Sequence, residues 1–135
     1  MIVDTSAILA YVDAAEPAHA AVSRVIEGSD ETLVVSPYVM AEVDCLVSNR
    51  HGVAAELEVI RELAGGAWEL ASMDAERVQA AARVVERFRD QPIGLADASN
   101  IVLAEAYRTR TIATLDRRHF GVLRFGDGTA VTIVP

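Results

Sequence analysis

The chain has no lysine. All 12 of its basic residues are arginine, set against 20 acids, which gives a formal net charge of −8. The missing lysine removes several chemistries at once. A P-loop needs its lysine on the phosphates, and Schiff-base catalysis needs a lysine amine. Positive charge for handling a phosphate must therefore come from arginine or from a metal. The acid excess is also the wrong sign for an ordinary nucleic-acid binder. It favours a bound cation or a basic partner.

Cysteine is nearly absent too. Cys45 is the only one, so no internal disulfide framework exists. It falls in an apolar helical stretch, where a buried structural thiol is expected rather than a nucleophile. No apolar run approaches the roughly 18 residues of a membrane span. A strand-like stretch starts at residue 1, so no signal peptide is expected. Together these point to a soluble cytoplasmic protein. His19 and His51 lack ligand spacing, which argues against zinc.

What is present is a globular composition, 52% hydrophobic and 24% charged over 135 residues, a length that favours one domain. Apolar runs at 1–3, 33–35, 67–71, 111–115 and 130–134 read as short strands. Helical spacing lies between them. Pro17 opens one helix, with Ala18, Ala21, Val22, Val25 and Ile26 on a stripe. Ser36-Pro37 is an N-cap and first helical position leading through Glu42. Gly52 breaks that helix, and Val53, Leu57, Ile60 and Ala64 form a further stripe, stopped by Gly65-Gly66. Asp74 caps a helix carrying Val78, Ala81, Ala82, Val85 and Phe88. An unusually apolar helix runs over 97–108. Alternation of strands and helices predicts an α/β fold, a parallel sheet covered on both faces. In such sheets ligands bind outside the carboxyl ends of the strands.

Four acids fall at that edge. Asp4 ends the first strand and Asp116 follows the fourth. Glu42 lies in the opening turns of the helix after the second strand, and Asp97 starts its own helix. Each has an ordinary structural reading taken singly: an N-cap, a first-turn acid that suits the helix dipole, or a surface acid. Jointly, right-handed crossovers bring all four together. Close carboxylates repel, and a divalent cation resolves the conflict. Mg²⁺ and Mn²⁺ prefer such hard oxygen ligands. Two ions about 3.5–4 Å apart form the clamp of nucleases and phosphatases, activating water and stabilising the oxygens of an in-line displacement.

The residues that carry these acids resemble a known family. MIVDTSAILA, Val35-Ser36-Pro37 leading to Ala41-Glu42, Gly94-Leu95-Ala96-Asp97-Ala98 and Thr114-Leu115-Asp116-Arg117-Arg118-His119-Phe120 are similar, in order and spacing, to the PIN-domain ribonucleases of the VapC toxin type. The resemblance runs the length of the chain. It implies a single PIN domain over 1–135, a three-layer α/β/α sandwich with a five-stranded parallel sheet in the order 3-2-1-4-5. It implies Mg²⁺- or Mn²⁺-dependent endonucleolytic cleavage of RNA by metal-activated water, with a 5′-phosphate and a 3′-hydroxyl as products. Asp4, Glu42, Asp97 and Asp116 would be the catalytic, metal-binding acids, with Glu42 ligating directly or orienting a water. Thr114 and Ser6 match supporting hydroxyl positions. Substrates in the family include tRNA and the sarcin–ricin loop. A VapB antitoxin partner and a homodimer are also implied.

Other residues have weaker claims. Asn100 lies three residues after Asp97 on the same helix face, where it would assist the site or be an ordinary polar residue. Arg117 and Arg118 flank Asp116 and are candidates for RNA phosphates, or a solvated surface pair. Arg83, Arg87, Arg89, Arg108 and Arg110 are candidates for a local basic rim. His119 and Trp68 are expected to pack. An antitoxin tail carrying arginine would place a guanidinium among the carboxylates. Two rival readings stand beside the nuclease. A metal-dependent phosphatase with an aspartate nucleophile wants a second Asp where Ser6 stands and a later lysine that is missing. A non-enzymatic acidic binding module would require no fixed geometry among the acids.

Overall fold

The computed structural model describes residues 1–135. Five strands, β1 (Ile2–Val3), β2 (Leu33–Val35), β3 (Trp68–Leu70), β4 (Thr111–Ala113) and β5 (Thr132–Val134), form one sheet in the order β3-β2-β1-β4-β5. Every pairing is parallel. Six helices accompany them: α1 (Thr5–Val12), α2 (His19–Glu27), α3 (Pro37–Leu63), α4 (Ala75–Arg87), α5 (Leu95–Ala106) and α6 (Arg117–Phe120). The parallel sheet is the one the alternation of strands and helices predicts, and its strand order and layers are those the family resemblance implies. Helix α1, starting directly after the first strand, was not.

Side chains alternate across a strand, and here both faces are buried. Val3, Val35 and Ala113 enter one core with Ile8, Val22, Val39, Val43 and Leu63. Their neighbours Ile2, Val34 and Ile112 enter the other with Ile101, Leu103, Phe120 and Phe125. Each fully buried aliphatic side chain contributes on the order of 1.5–3 kcal/mol. The central strands are therefore the most firmly held part of the molecule.

That rigidity sets the carboxyl edge. In the register, Val3 stands opposite Ala113, and the Asp4 N–H donates to the Ala113 carbonyl at 3.0 Å. Asp4 and Thr114, 110 residues apart in sequence, become neighbours one step beyond the strands.

Two expectations fail in α3. Gly52 sits at φ 80°, a left-handed conformation that interrupts the helix and that glycine adopts without penalty. The kink resets the helical phase. Val53 and Leu57 turn outward, 64% and 42% exposed, while Val59 and Leu63 face the core. Cys45 is exposed, not buried. The inward face of that half-helix is Val39, Val43 and Val47, and Cys45 lies off it. Trp68 packs as expected, 6% exposed, with its indole N–H on Glu62 at 3.2 Å. No helix is long and apolar enough to cross a membrane.

Candidate active site

Asp4 leaves β1 and caps α1 in one step. Its backbone is extended and its carboxylate accepts from the Ser6 N–H, the ordinary work of an N-cap. The rest of its environment goes further. The Thr114 hydroxyl donates to Asp4 Oδ2 at 2.8 Å, the Ser6 hydroxyl to the same oxygen at 2.9 Å, and Asn100 Nδ2 to Oδ1 at 3.1 Å. Asp4 is 5% exposed, and Thr114 and Asn100 are fully buried. A buried carboxylate survives only when so supplied with donors.

The two hydroxyls are themselves wired to the main chain at Leu115 and Asp116, the segment of the fourth acid. Thr114 Oγ1 accepts the Asp116 N–H at 3.0 Å, and Ser6 Oγ accepts the Leu115 N–H at 2.9 Å. A chain of hydrogen bonds thus runs from the main chain at Asp116 through Thr114 to Asp4, and each link polarises the next. Asn100 Oδ1 has no partner despite its burial. The Asp4 charge selects the amide's donor end and leaves the acceptor end unsatisfied.

Asp97 lies in the first turn of α5, where its carboxylate accepts the Gly94 N–H at 3.0 Å. Burial pushes the Asp97 carboxyl above its ordinary value. The Gly94 hydrogen bond opposes this, the Asp4 charge reinforces it, His119 opposes it and Asp116 reinforces it. Asp4, Asp97 and Asp116 are therefore close enough to feel one another. Asp116 caps α6, accepting the His119 N–H at 2.9 Å. Glu42 is exposed and is tethered beside Asp4 by the Thr5 hydroxyl, which donates to it at 2.7 Å.

The remaining candidates divide. Asn100, Ser6 and Thr114 are in the network. Arg118 is exposed and in no ion pair. Arg117 donates to the Pro135 carbonyl at 2.6 Å. From the expected rim, Arg110 pairs with Asp127 and Arg87 donates to the Phe125 carbonyl. His119 departs from its expected role: its Nδ1 stands 3.0 Å from Asp116 and 3.7 Å from Asp97. Sequence reasoning missed the Thr5 tether. It also missed a buried pair, Ser36 and Ser99, with hydroxyls 2.6 Å apart, which ties the start of α3 to α5. A run of hydroxyls beside acids was the available signal for Thr5. Nothing local marked Ser99.

The donor set is all oxygen, as Mg²⁺ or Mn²⁺ requires, and no arginine neutralises it. No three His, Cys, Asp or Glu side chains close a cage by themselves. An ion here would keep part of its shell as water and substrate phosphate, as Mg²⁺ ordinarily does. The arrangement does not fit a closed structural metal site.

Residues 1–125 match the PIN domain family. The chain belongs to that family. It is 63% identical to ribonuclease VapC26 of Mycobacterium tuberculosis over 135 residues, the full length of both. This places it, within the family, among the VapC ribonuclease toxins of toxin–antitoxin systems. Two solved structures share the fold at 16% identity. VapC20 of Mycobacterium tuberculosis, a sarcin–ricin loop cleaving toxin, matches with a TM-score of 0.83 over 99% of this chain and 98% of its own. FitAcB from Neisseria gonorrhoeae matches with a TM-score of 0.71 over 99% and 96%.

Proposed function

We propose that this ribonuclease is a single PIN domain over 1–135 that cleaves structured RNA with Mg²⁺ or Mn²⁺ held by Asp4, Asp97 and Asp116, with Glu42 ligating or orienting a water. The observation that carries this is Asp97: a partly buried carboxyl raised by two other acids, with no arginine paired to any of them. A divalent cation bound there would neutralise the acids, activate water and polarise the scissile phosphate.

The chain's own groups do the positioning. Ser6, Thr114 and Asn100 fix the Asp4 carboxylate so that it needs no reorganisation when a cation arrives. Thr5 holds Glu42 at the mouth of the site. Arg118, free and beside Asp116, is the guanidinium available for an RNA phosphate. Arg117 is already engaged. VapC20's activity supports a folded RNA of the sarcin–ricin kind, recognised by shape, with tRNA the other substrate that the family resemblance implies.

A cognate VapB-type antitoxin is the proposed inhibitor, acting on a cytoplasmic homodimer of the family's kind. An open groove of about 810 Å³ between α1, α2 and α3 supports a basic partner. Asp13, Glu16, Glu27, Glu58 and Glu62 line it over an apolar floor, against Arg50 as the one arginine. A segment with arginines beside an apolar face suits that surface.

The test uses purified, antitoxin-free protein with structured RNA and Mg²⁺ or Mn²⁺. Cleavage to 5′-phosphate products should vanish with EDTA and with Asp4→Asn, while circular dichroism stays unchanged. The fold should survive because the buried Asn100 amide can turn and present its unpaired oxygen to the new amide. Undiminished cleavage in EDTA, or by Asp4→Asn, overturns the proposal.

A further inference from the structure

His119 holds both oxygens of one acid and leans on a second. Its main-chain N–H donates to Asp116 Oδ1 at 2.9 Å. Its ring Nδ1 stands 3.0 Å from Asp116 Oδ2 and 3.7 Å from Asp97 Oδ2. An N-cap needs only the first contact. With carboxylate oxygens on that side of the ring, Nδ1 carries the proton and donates. A neutral imidazole can make this contact, so the arrangement does not require a charged ring.

The backbone that carries the ring is anchored. Phe120, the next residue, is 1% exposed, and Leu123 is fully buried. The His119 carbonyl accepts from the N–H groups of Val122 at 3.2 Å and Leu123 at 3.3 Å. The backbone that carries the ring is thus fixed to the core. Asp116 is not: its side chain is 33% exposed, and the terminal torsion of an aspartate is broad. Without the ring, only the cap contact would hold its carboxylate, and Oδ2 would be free to swing toward water.

We infer that His119 is a positioning residue for the cation site: its Nδ1–H fixes the Asp116 carboxylate and its spacing from Asp97, and so raises affinity for the divalent ion. The inference rests on the metal-dependent reading above. Outer groups that orient metal-binding carboxylates are typically worth ten- to a hundredfold in affinity, or about 1.4–2.7 kcal/mol at 1.36 kcal/mol per tenfold. Because His119 touches the acids, the effect is read in metal binding.

The experiment compares His119→Phe, which fills the ring's volume without a donor, with His119→Asn, whose Nδ2 reaches near the Nδ1 position. Mn²⁺ binding is read by electron paramagnetic resonance of the free ion in RNA-free protein, and RNA cleavage is titrated against Mn²⁺. His119→Phe should weaken Mn²⁺ binding about ten- to a hundredfold. It should raise the half-saturating Mn²⁺ concentration equally and leave the rate at saturating Mn²⁺ within a few-fold of wild type. His119→Asn should recover most of the affinity. If His119→Phe fails to fold, His119→Ala, which the partly exposed position tolerates, replaces it. Wild-type affinity in the donorless variant overturns the inference, as does His119→Asn binding no better than His119→Phe. Wild-type protein that binds no Mn²⁺ overturns the metal-dependent reading itself, and this inference with it.

Discussion

Asp97 and Asp127 are the same amino acid in opposite circumstances. Asp127 lies in the turn before β5. Its two oxygens take the two ends of the Arg110 guanidinium, at 3.1 and 2.6 Å, and Thr129 adds its N–H and hydroxyl. Arg110 in turn lies over the Phe125 ring at 4.7 Å. The Arg110 pairing and the Thr129 hydrogen bonds hold the Asp127 carboxyl well below the usual range. Asp97 is displaced the other way, first by burial, and no arginine stands against it. The chain has 12 arginines and sets one squarely on an exposed surface acid. It sets none among the acids of the carboxyl edge. An acid cluster left unneutralised by a chain able to neutralise it is what the proposed cation site requires.

The sharpest way to break the contrast is Asp97→Asn. It keeps the oxygen that accepts the Gly94 N–H and removes a partly buried, repelled charge. RNA cleavage should fall by about a hundredfold or more, as expected for loss of a metal acid. Stability in EDTA should rise, by about 1 kcal/mol or a few degrees in Tm, the usual sign when a strained functional group is removed. Thermal unfolding beside a cleavage assay checks both halves. A variant that loses both activity and stability would make Asp97 structural, and the two acids would no longer differ in kind.

Thr114→Val sharpens the comparison from the side of the network. The shape is kept and the hydroxyl lost. Asp4 loses a donor, and the Asp116 N–H loses its acceptor inside the protein. An unsatisfied buried group costs about 1–3 kcal/mol, so Tm should drop by several degrees. Cleavage should fall roughly ten- to a hundredfold. Thr114→Ser should restore most of each, because the hydroxyl and not the methyl makes the contacts. Equal losses in the valine and serine variants would assign the effect to packing.

Much of this was readable before the fold was seen, and the rest was hidden for physical reasons. Short apolar runs that stop at Asp4 and Asp116 report a buried strand and its exit together, so the sheet and its acids emerge from one pattern. The buried face of α3 beyond Gly52 does not, because a single residue at φ 80° changes the phase on which helical spacing depends. Cys45 was legible and misread: Val39, Val43 and Val47 recur every four residues and already exclude it from the inward face. Helix α1 was masked by the role of its own cap, since Asp4 serves the helix and the site at once. His119 reaching Asp97 is a contact across 22 positions in different helices, and no local spacing encodes it.

Asp127→Asn carries the smallest expected effect and tests the other half of the contrast. The pair with Arg110 is exposed, with side chains 51% and 50% accessible, so solvent and salt screen it. Cleavage should stay within about twofold of wild type, and the small loss in Tm should fade as salt is added. The pH dependence separates the two acids further when metal is kept out with EDTA. Asp127 has a lowered folded value, so its stabilisation is present above the ordinary aspartate range, about pH 4, and is lost as pH falls below it. Asp97 has a raised value, so its penalty is full at neutral pH and is relieved as pH falls through that raised value toward the ordinary one. Against wild type, Asp97→Asn should therefore unfold at higher temperature and Asp127→Asn at lower temperature at neutral pH. On acidification the first gap should close before the second. Gaps of the same sign, or closing in the reverse order, would mean that burial at the carboxyl edge does not set the difference between them.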